Sequence, residues 1–231
     1  MRRVGTVALL ARYPVKSMRG EPLEHVEVEP RGLSGDRGWA VYTDDGGIGS
    51  GKSTRRFRRV DGLLEWRAEL AGTEPVIASP TGERYGAEGA GARLSAALGR
   101  PLAVRPEGDV PHHDESPVHL LTSASLTSLG NLLGGRVDVA RFRPNVVLDV
   151  PGEGFPEDEW IGRELALGDD VVLRLGPGMP RCVMVGLPQG ELERDKHILR
   201  TLASERDLAF GLQASVVRGG IVRRGAPALL V

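Results

Sequence analysis

The stretch GGIGSGKST, residues 46–54, decides between two fold classes for this chain. It matches G-x-x-x-x-G-K-[ST], the phosphate-binding loop that joins a buried strand to a long helix in nucleotide-hydrolysing α/β proteins. In such a loop Lys52 would contact the phosphates and Ser53 a magnesium ion. The alternative is a glycine-rich turn between two strands of a mainly β protein. The sequence on either side of the motif distinguishes the two.

The segment after the motif does not favour a helix. It reads TRRFRRVDGLLEW, residues 54–66, so arginines occupy most of the first turn that should pack on an apolar sheet. Gly62 would interrupt any helix within about three turns. Asp149 ends an apolar run, as a magnesium-binding aspartate would, but no catalytic base is near it and the βαβ alternation is missing. A turn is therefore favoured, and nucleotide binding at residues 46–53 stays a remote alternative.

Short apolar segments separated by turn residues predict strands along most of the chain. Three helices are expected, at residues 91–98 before Gly99, at 123–133 with Ser123 as N-cap, and at 194–207. The polar, proline-bearing run at residues 105–117 predicts a boundary. The expected fold is mixed α/β and mainly β, with a β-barrel-like module at residues 1–104 and a β-barrel domain with peripheral helices at 105–231. The segments predicted as strands include VGTVALL (4–10), GWAVYT (38–43), EPVIAS (74–79), SPVHLL (116–121), RPNVVLDV (143–150), a hairpin in ELALGDDVVLRLG (164–176), and AFGLQASVV (209–217).

Composition excludes several classes of partner. The 231 residues include 30 basic and 31 acidic side chains, a net charge of −1, so no overall positive field attracts nucleic acid or an anionic membrane. No run approaches the ~20 apolar residues of a membrane span. The N-terminus faintly resembles a signal peptide, but Arg12 and Lys16 follow at once, which favours a first strand. We expect a cytoplasmic protein without nucleic-acid or membrane partners.

The chain has one cysteine, Cys182. Intrachain disulfides and all-thiolate zinc or iron–sulfur sites are therefore excluded. A lone cysteine is most often an inert buried residue, so its neighbours must argue for a function. The run His112-His113-Asp114-Glu115 has ligand-type side chains, but adjacent residues of an extended loop diverge and no second cluster lies at metal spacing. A solvated loop is the preferred interpretation of that run.

Three separated stretches of the sequence, in order, resemble one family. They are YPVKSMRG (13–20), GLSGDRGWAV (32–41), and RFRPNVVLD (141–149) continued by EDEWIGRELALGD (157–169) and MPRCVMV (179–185). Together they resemble the MOSC proteins, the family of molybdenum-cofactor sulfurase C-terminal domains, with the N-terminal β-barrel module that usually precedes them. The amidoxime-reducing components and their bacterial counterparts are most similar in character. The resemblance implies a MOSC N-terminal module at residues 1–104 and a MOSC domain at 105–231.

The resemblance also implies a cofactor, molybdenum bound by the dithiolene of a phosphorylated pterin (Mo-molybdopterin). Cys182 would be the catalytic residue and the protein's ligand to molybdenum, and a soft thiolate suits a metal already bound to sulfur. Arginine forks suit the phosphate, and a helix start offers hydroxyls and amides at its positive end. Structural roles stay open for each, such as pairing of Arg37 or Arg143 with Asp36 or Asp149. The implied cofactor-binding residues are Lys16, Ser17, Arg37, Thr122, Ser123, Ser125, Arg143 and Arg181, with structural roles for Asn145 and Trp160.

The implied activity is reduction of N-hydroxylated small molecules, of amidoxime or hydroxylamine type. Electrons would come from a separate ferredoxin, flavoprotein or cytochrome b5-type protein. Two departures from the family pattern leave the substrate open: Met179 replaces the first cysteine of Cys-x-Arg-Cys, and Met184-Val185 replace two threonines. The alternative function is a non-redox cofactor-binding or sulfur-carrier module that uses a Cys182 persulfide. The arginine cluster at residues 55–59 could line the site entrance or face an acidic electron-transfer partner, although a solvated surface is preferred.

Overall fold

The computed structural model describes residues 1–231 and contains eighteen strands. In the first half these are β1 (Arg2–Arg12), β2 (Glu21–Leu23), β3 (His25–Glu29), β4 (Gly32–Leu33), β5 (Trp39–Thr43), β6 (Ile48–Ser50), β7 (Phe57–Arg59), β8 (Arg67–Ala71), β9 (Glu74–Ala78), β10 (Arg84–Gly86) and β11 (Leu102–Pro106). In the second half they are β12 (Val118–Thr122), β13 (Val146–Asp149), β14 (Glu164–Leu167), β15 (Val171–Pro180), β16 (Ala209–Arg218), β17 (Gly220–Arg223) and β18 (Pro227–Leu230).

Three α-helices and four short 3₁₀ helices accompany the strands. The α-helices are α1 (Ala87–Leu98), α2 (Ser123–Leu133) and α3 (His197–Arg206), and the 3₁₀ helices are Leu63–Glu65, Val139–Phe142, Pro156–Trp160 and Val183–Gly186. None of the helices has the length and apolar character that a membrane crossing requires. The predicted mainly β fold with peripheral helices is confirmed.

A closed barrel of seven strands organises the chain. Its hydrogen-bonded order is β13-β12-β16-β15-β14-β18-β1, and β1 closes the ring by pairing with β13 as well as β18. β2 extends β1 outside the ring. The predicted β-barrel is thus confirmed, and its closing strand is the first of the chain.

The other strands form three small sheets, ordered β11-β5-β6-β7, β10-β9-β8 and β17-β3-β4. The last of these joins β17 from the C-terminal region to β3 and β4 from the N-terminal region. Strand pairing therefore crosses the run at residues 105–117 twice, through β1 and through β3. Division of the chain into modules at residue 105 stays a prediction.

Side-chain alternation along the barrel strands separates two cores. In β12, Leu120 belongs to a cluster of 21 buried residues, whereas its neighbour Leu121 belongs to a cluster of eight that includes Leu129 of α2 and Ile198 of α3. Because successive strand residues point to opposite faces, one face fills the barrel and the other packs under the helices. This double burial explains why β12 is apolar without alternation. A third cluster packs α1 against the small sheets of the N-terminal region.

The motif that resembled a phosphate-binding loop lies in the sheet of β5, β6 and β7. A turn follows β5, residues 48–50 form β6, and no helix follows Ser53. β6 instead pairs in parallel with β7, which begins at Phe57. The predicted glycine-rich turn is confirmed at residues 44–47, but the middle of the motif is a buried strand. The structure offers no strand-to-helix loop for a nucleotide.

Two details of the helices differ from expectation. The N-cap of α2 is Thr122 and not Ser123, because the Thr122 hydroxyl accepts the Ser125 backbone N–H. α1 begins at Ala87, four residues before the predicted start, and ends as predicted with Gly99 in the left-handed region. Seven strands escaped prediction, β2, β4, β6, β7, β8, β11 and β17, because they are very short or because glycine, arginine and glutamate interrupt their apolar pattern.

The closure of the barrel predicts a strict requirement for glycine at position 5. A Cβ there would lie 2.1 Å from the Asp149 carbonyl oxygen of β13, so Gly5→Ala must separate β1 from β13. We expect a loss of about 1–3 kcal/mol in the free energy of unfolding, measured by urea denaturation. The control is Gly89→Ala on the exposed face of α1, where a Cβ meets nothing within 4 Å. That variant should gain up to about 1 kcal/mol, and equal effects would contradict the expectation.

Candidate functional site

A single cleft collects most of the residues that the sequence singled out. It encloses about 790 Å³, including its open mouth, which is within the usual range for small-molecule sites. Its walls come from the segments after β1, before β5, before β12, before β13 and after β15. Of the nine predicted site residues, the structure brings six together here: Lys16, Ser17, Arg37, Arg143, Arg181 and Cys182.

The cleft carries a large excess of positive charge. Six basic side chains line it against two acidic ones, although the whole chain has a net charge of −1. The basic residues are Lys16, Arg37, Lys52, Arg141, Arg143 and Arg181, and the acidic ones are Asp114 and Glu115. The electrostatic field is therefore local, and it is strengthened by the low dielectric of the cleft walls.

The Arg37 side chain is held by the Asp36 carboxylate and by Asn145, which is bonded to β1 of the barrel. Its guanidinium forms an ion pair with Asp36, which is fully buried. Burial raises the pKa of Asp36, but Arg37 and hydrogen bonds from His113 and the Tyr13 N–H outweigh that effect and lower it to about 2. Arg37 also lies 3.4 Å from Oδ1 of Asn145, whose amide in turn donates to the Ala11 carbonyl of β1. The structural interpretation of the Arg37–Asp36 pair is thus correct, and Arg37 still faces the cleft.

Lys16 is buried and shares one carboxylate with Lys52. Its ammonium contacts Asp114 and donates to the His112 carbonyl over 2.8 Å, while Lys52 lies 3.4 Å from the other Asp114 oxygen. Burial lowers the pKa of Lys16 to about 8, a shift that Asp114 opposes and that Arg37 reinforces. The imidazole of His112 anchors this loop by bonding the Tyr42 hydroxyl at 2.9 Å. The residues predicted as a solvated loop therefore form one wall of the cleft.

Arg143 and Arg181 have too few anionic partners for their burial. Burial, reinforced by Arg37, lowers the pKa of each to about 10. Arg143 donates to the Met18 carbonyl and lies over the Tyr13 ring at 4.3 Å, whereas Arg181 donates to the Phe142 carbonyl at 3.0 Å. The Nε of Arg181 is buried without any hydrogen-bond partner. These guanidiniums thus retain donor capacity for an anion.

Cys182 is partly exposed in the same cleft, directly after Arg181 and before the 3₁₀ helix Val183–Gly186. Met184, which stands where the family has threonine, lines the cleft beside it. The Ser50 hydroxyl lies 3.6 Å from the Met184 sulfur, and a Cβ on Gly51 would lie 3.2 Å from Met184 Cγ. The SGK portion of the phosphate-loop motif therefore supports the wall around the cysteine.

Backbone strain is concentrated at this cleft. Five residues other than glycine have a positive φ in the whole chain, and three of them are Ser17, Arg37 and Arg143. The other two, Asp207 and Leu208, are next to the site, since the Leu208 carbonyl accepts the Arg181 N–H at 2.6 Å. Such conformations cost about 1–3 kcal/mol each and persist where side chains must point in a set direction. The strain supports a functional role for these positions.

Three predicted cofactor-binding residues lie elsewhere, since Thr122, Ser123 and Ser125 do not line the cleft. The hydroxyls of Thr122 and Ser125 bind the buried carboxylate of Glu157 at 2.7 and 2.6 Å. The Ser123 hydroxyl accepts the Val150 N–H at 2.9 Å. These groups hold the start of α2, which is the structural alternative stated for them, and we do not include them in the proposed site.

The arginines at residues 55–59 also lie outside the lining of the cleft. Arg58 and Arg59 are paired with Asp45 and Asp61 at 2.5 and 2.8 Å and are partly exposed, as a solvated surface would be. Arg56 differs, because it donates to the His113 carbonyl at 2.6 Å and so supports the loop that carries Asp114. One member of the cluster therefore reaches the site indirectly.

Sequence reasoning missed several residues of the cleft as wall residues, among them Lys52, Asp114 and His119. Lys52 and Asp114 were noticed but assigned to a turn and a solvated loop. His119 carried a signal that was not used, as the one ionisable residue inside an otherwise apolar predicted strand. Buried ionisable groups in such positions are candidates for functional sites.

The residues of the cleft fit an anionic, sulfur-bound metal cofactor of the kind that the family resemblance implies. The unbalanced buried cations and the unpartnered Arg181 Nε call for an anion, and fork-like guanidiniums match a phosphate. Cys182 supplies the one thiolate at the same cleft, where the other sulfur atoms are the thioethers of Met179 and Met184, and no second cysteine or cluster of acidic and histidine ligands is present for a different metal. The donor set therefore agrees with a phosphorylated pterin carrying a soft metal.

Comparison with known proteins gives matches over most of the chain. The family model described as MOSC domain matches residues 107–228, and the one described as MOSC N-terminal beta barrel domain matches residues 4–76. Mitochondrial amidoxime reducing component 2 of Rattus norvegicus is 29% identical over 98% of this chain and 83% of its own length. Mitochondrial amidoxime-reducing component 1 of Homo sapiens is 28% identical over 89% of this chain and 73% of its own length.

Among solved structures, the YUAD protein from Bacillus subtilis is similar in fold. It matches with a TM-score of 0.51 and 12% identity, over 100% of this chain and 97% of its own. At this identity the likeness concerns the fold alone.

The buried ammonium of Lys16 predicts an unusual dependence of stability on pH. Its folded-state pKa of about 8 lies below the ordinary value of 10.5, so the unfolded chain binds more protons between these values. The free energy of unfolding of the cofactor-free protein should therefore rise from pH 8 to pH 10, by at most about 1.4 kcal/mol per pH unit. Above pH 10 the buried Tyr13, whose pKa burial raises to about 12, acts in the opposite direction.

Urea denaturation at pH 7, 8, 9 and 10 measures this rise. Lys16→Met should remove most of the rise and leave the smaller part that Arg143 and Arg181, whose pKa values are lowered to about 10, contribute near pH 10. Lys52→Met, which removes the other partner of Asp114, should retain the rise. A rise of equal size in all three proteins would show that Lys16 is not its source.

Proposed function

The chain belongs to the MOSC family, and from that premise we propose that it is a molybdenum-cofactor-dependent reductase of N-hydroxylated compounds. The observation that carries the proposal is the cleft in which six basic side chains surround the only thiol of the chain. The names of the relatives, amidoxime-reducing components, support the substrate class. In the proposed reaction the N–O bond of the substrate breaks, two electrons and two protons are taken up, and the oxygen leaves as water.

Separate residues serve the two ends of the cofactor in this proposal. The Cys182 thiolate binds the metal, because it is the one anionic sulfur donor of the cleft, whereas Met179 and Met184 offer neutral thioethers. Lys16, Arg37 and Arg143 hold the phosphate and the polar edge of the pterin, and Ser17 adds a hydroxyl. When bound, the cofactor supplies the two-electron chemistry of molybdenum.

Two groups link these ends in the proposed site. Arg181 adjoins Cys182 in sequence and retains a buried N–H for an anionic ligand. Asn145 positions Arg37 from behind, as its Oδ1 also accepts the His119 backbone N–H at 3.1 Å. The strained backbone at Ser17, Arg37 and Arg143 keeps their side chains directed into the cleft before any ligand binds, which reduces the entropic cost of binding.

The substrate approaches a wall that is more apolar than the family pattern. Met184 and Val185 contribute a thioether and an isopropyl group where threonine hydroxyls are expected. Met184 is held from behind by Ser50 and Gly51, so its side chain narrows the cleft beside Cys182. We propose that this wall favours small N-hydroxylated substrates without donors that need a hydroxyl partner.

The electron donor and the location belong to the proposal as well. Electrons come from a separate protein of ferredoxin, flavoprotein or cytochrome b5 type, because the chain itself has a single cysteine and cannot hold an iron–sulfur cluster by its own thiolates. A cytoplasmic location stays a prediction, since the relatives are named as mitochondrial proteins.

The first test measures the metal in the purified protein. Protein produced in a host that makes the cofactor should contain about one molybdenum per chain, by elemental analysis, and should reduce benzamidoxime with a chemical electron donor. Cys182→Ser should lose the reductase activity and most of the molybdenum, because the serine hydroxyl stays protonated at neutral pH and does not replace the thiolate as a ligand.

The control is Ser123→Ala, at a position outside the cleft that the same resemblance singled out. It should retain full molybdenum content and activity. An unmutated protein without molybdenum would overturn the proposal. If that protein instead gained a removable sulfur atom on Cys182 after treatment with a cysteine desulfurase, by mass spectrometry, the sulfur-carrier alternative would replace it.

The second test concerns the substrate wall. Met184→Thr shortens the side chain beside Cys182 and restores a hydroxyl, so larger substrates should fit better. We expect kcat/KM for benzamidoxime to rise about 10-fold relative to that for hydroxylamine, the range that one or two methylene groups give in a binding site. Steady-state kinetics of both substrates on both proteins measure the ratio. An unchanged ratio would mean that Met184 does not face the substrate.

A further inference from the structure

His119 is a buried imidazole for which neither the fold nor the proposed cofactor site gives a role. It lies on β12, which is otherwise apolar up to Thr122, and it is 4% exposed. Its side chain nevertheless lines the cleft. A polar ring in such a position costs free energy unless it makes a hydrogen bond.

The neighbouring strand is shaped around this ring. Gly211 of β16 has φ +74°, and a Cβ at that position would lie 2.7 Å from His119 Nε2 and 2.5 Å from the Leu120 carbonyl oxygen. A side chain there would displace the imidazole. The backbone of His119 is fixed as well, because its N–H donates to Asn145 Oδ1 and its carbonyl accepts the Asn145 N–H at 2.9 Å. On one side of β12, Gly211 leaves space for the imidazole, and on the other side Asn145 fixes the backbone that carries it.

The side-chain partner of the imidazole is Arg181, and the backbone of Arg143 and of Phe210 also forms hydrogen bonds with the ring. The Nη2 of Arg181 lies 3.5 Å from His119 Nε2, and the same nitrogen donates to the Phe142 carbonyl at 3.0 Å. A guanidinium can only donate, so Nε2 must be the acceptor. This requires the neutral ring with its proton on Nδ1. Burial, reinforced by Arg181 and Arg37, lowers the pKa of His119 well below its usual range, and the hydrogen bonds with the Arg143 and Phe210 backbone only partly oppose that shift, in agreement with a neutral ring.

We propose that His119 is a positioning residue for Arg181. Its Nε2 and the Phe142 carbonyl hold the terminal nitrogens of the guanidinium against the cleft wall, which leaves the buried Nε–H for a ligand. The identity of that ligand, the anionic cofactor, rests on the proposed function. The hydrogen bond between His119 and Arg181 does not, since it is made by the chain alone.

The hydrogen bond is tested by nitrogen-15 NMR of the five histidines, with His119→Gln used to assign the resonance. The His119 ring should be neutral with the proton on Nδ1 from pH 6 to pH 8. Arg181→Gln should shift its Nε2 resonance. The control is Arg141→Gln, since Arg141 also lines the cleft. It should leave the Nε2 resonance unchanged, because Arg141 donates to the Glu193 carbonyl at 2.7 Å. A proton on Nε2, or equal shifts in the two variants, would overturn the inference.

The consequence for the cofactor is tested by molybdenum retention during dialysis of the loaded protein. His119→Leu removes the acceptor and should lose molybdenum about 10-fold faster, as is usual when a residue that orients a ligand-binding group is removed. His119→Gln places an amide oxygen near Nε2 and should restore most of the retention. Equal losses in both variants, at equal thermal stability, would show that the ring matters for packing alone. An unmutated protein without molybdenum would overturn the proposed function, while the NMR result would still decide the inference.

Discussion

Uncompensated positive charge inside the cleft is the constraint on which the rest of the structure depends. A buried guanidinium or ammonium costs several kcal/mol unless it is paired, and this protein buries Lys16 and partly buries Arg37, Arg143 and Arg181, with Asp36 and Asp114 as their close anionic partners. The lowered pKa values of Lys16, Arg143 and Arg181 result from this loss of hydration of the charged groups. A protein that retains such a cluster does so for an anion, which gives the proposed cofactor a role in stability as well as in chemistry.

The barrel supplies the rigidity that this charge requires. The segments that carry the cations each begin or end on a barrel strand or on the sheet of β5, and each is tied to a neighbour by backbone hydrogen bonds, as Ala11 is to Asn145 and Asn145 to His119. Left-handed backbone at Ser17, Arg37 and Arg143 can persist because these surroundings fix it. The stability of two packed cores thus offsets the strain and desolvation at one cleft.

The strands and helices followed from the sequence because their signals are local. Alternation, glycine after a helix and the hairpin residues are each read within a few positions. The cleft did not follow in the same way. Lys16, Arg37, Arg143, Arg181 and Cys182 were reached through the family resemblance, and composition or periodicity alone would not have assembled them. Thr122 and Ser125 were misplaced because a hydroxyl at a helix start looks the same whether it meets a phosphate or Glu157, and Glu157 is distant in sequence.

The motif GGIGSGKST, residues 46–54, also shows that a local pattern does not reveal which distant residues a segment contacts. Its letters fit a phosphate loop, and the missing helix argued against one, yet Ser50, Gly51 and Lys52 still reach the cleft through contacts with Met184 and Asp114. Those contacts depend on how β6 and the residues after it pack against the segments around Asp114 and Met184, which are distant in sequence. A local pattern carries no information about such neighbours.

The pairing of β1 with β18 and β13 also governs when the molecule can mature. Arg2 of β1 is a register partner of Leu230 of β18. During synthesis the ring therefore cannot close until β18 has emerged from the ribosome. Contacts of this separation form slowly, and the part of β1 that pairs with β18 presents a free strand edge until then, although β2 and β13 can already pair with the rest of β1. The cleft likewise forms late, since its walls include segments on both sides of β15. In the proposed function, loading of the cofactor would therefore follow synthesis of both strands, and the strand edge that is free until then is a site for aggregation.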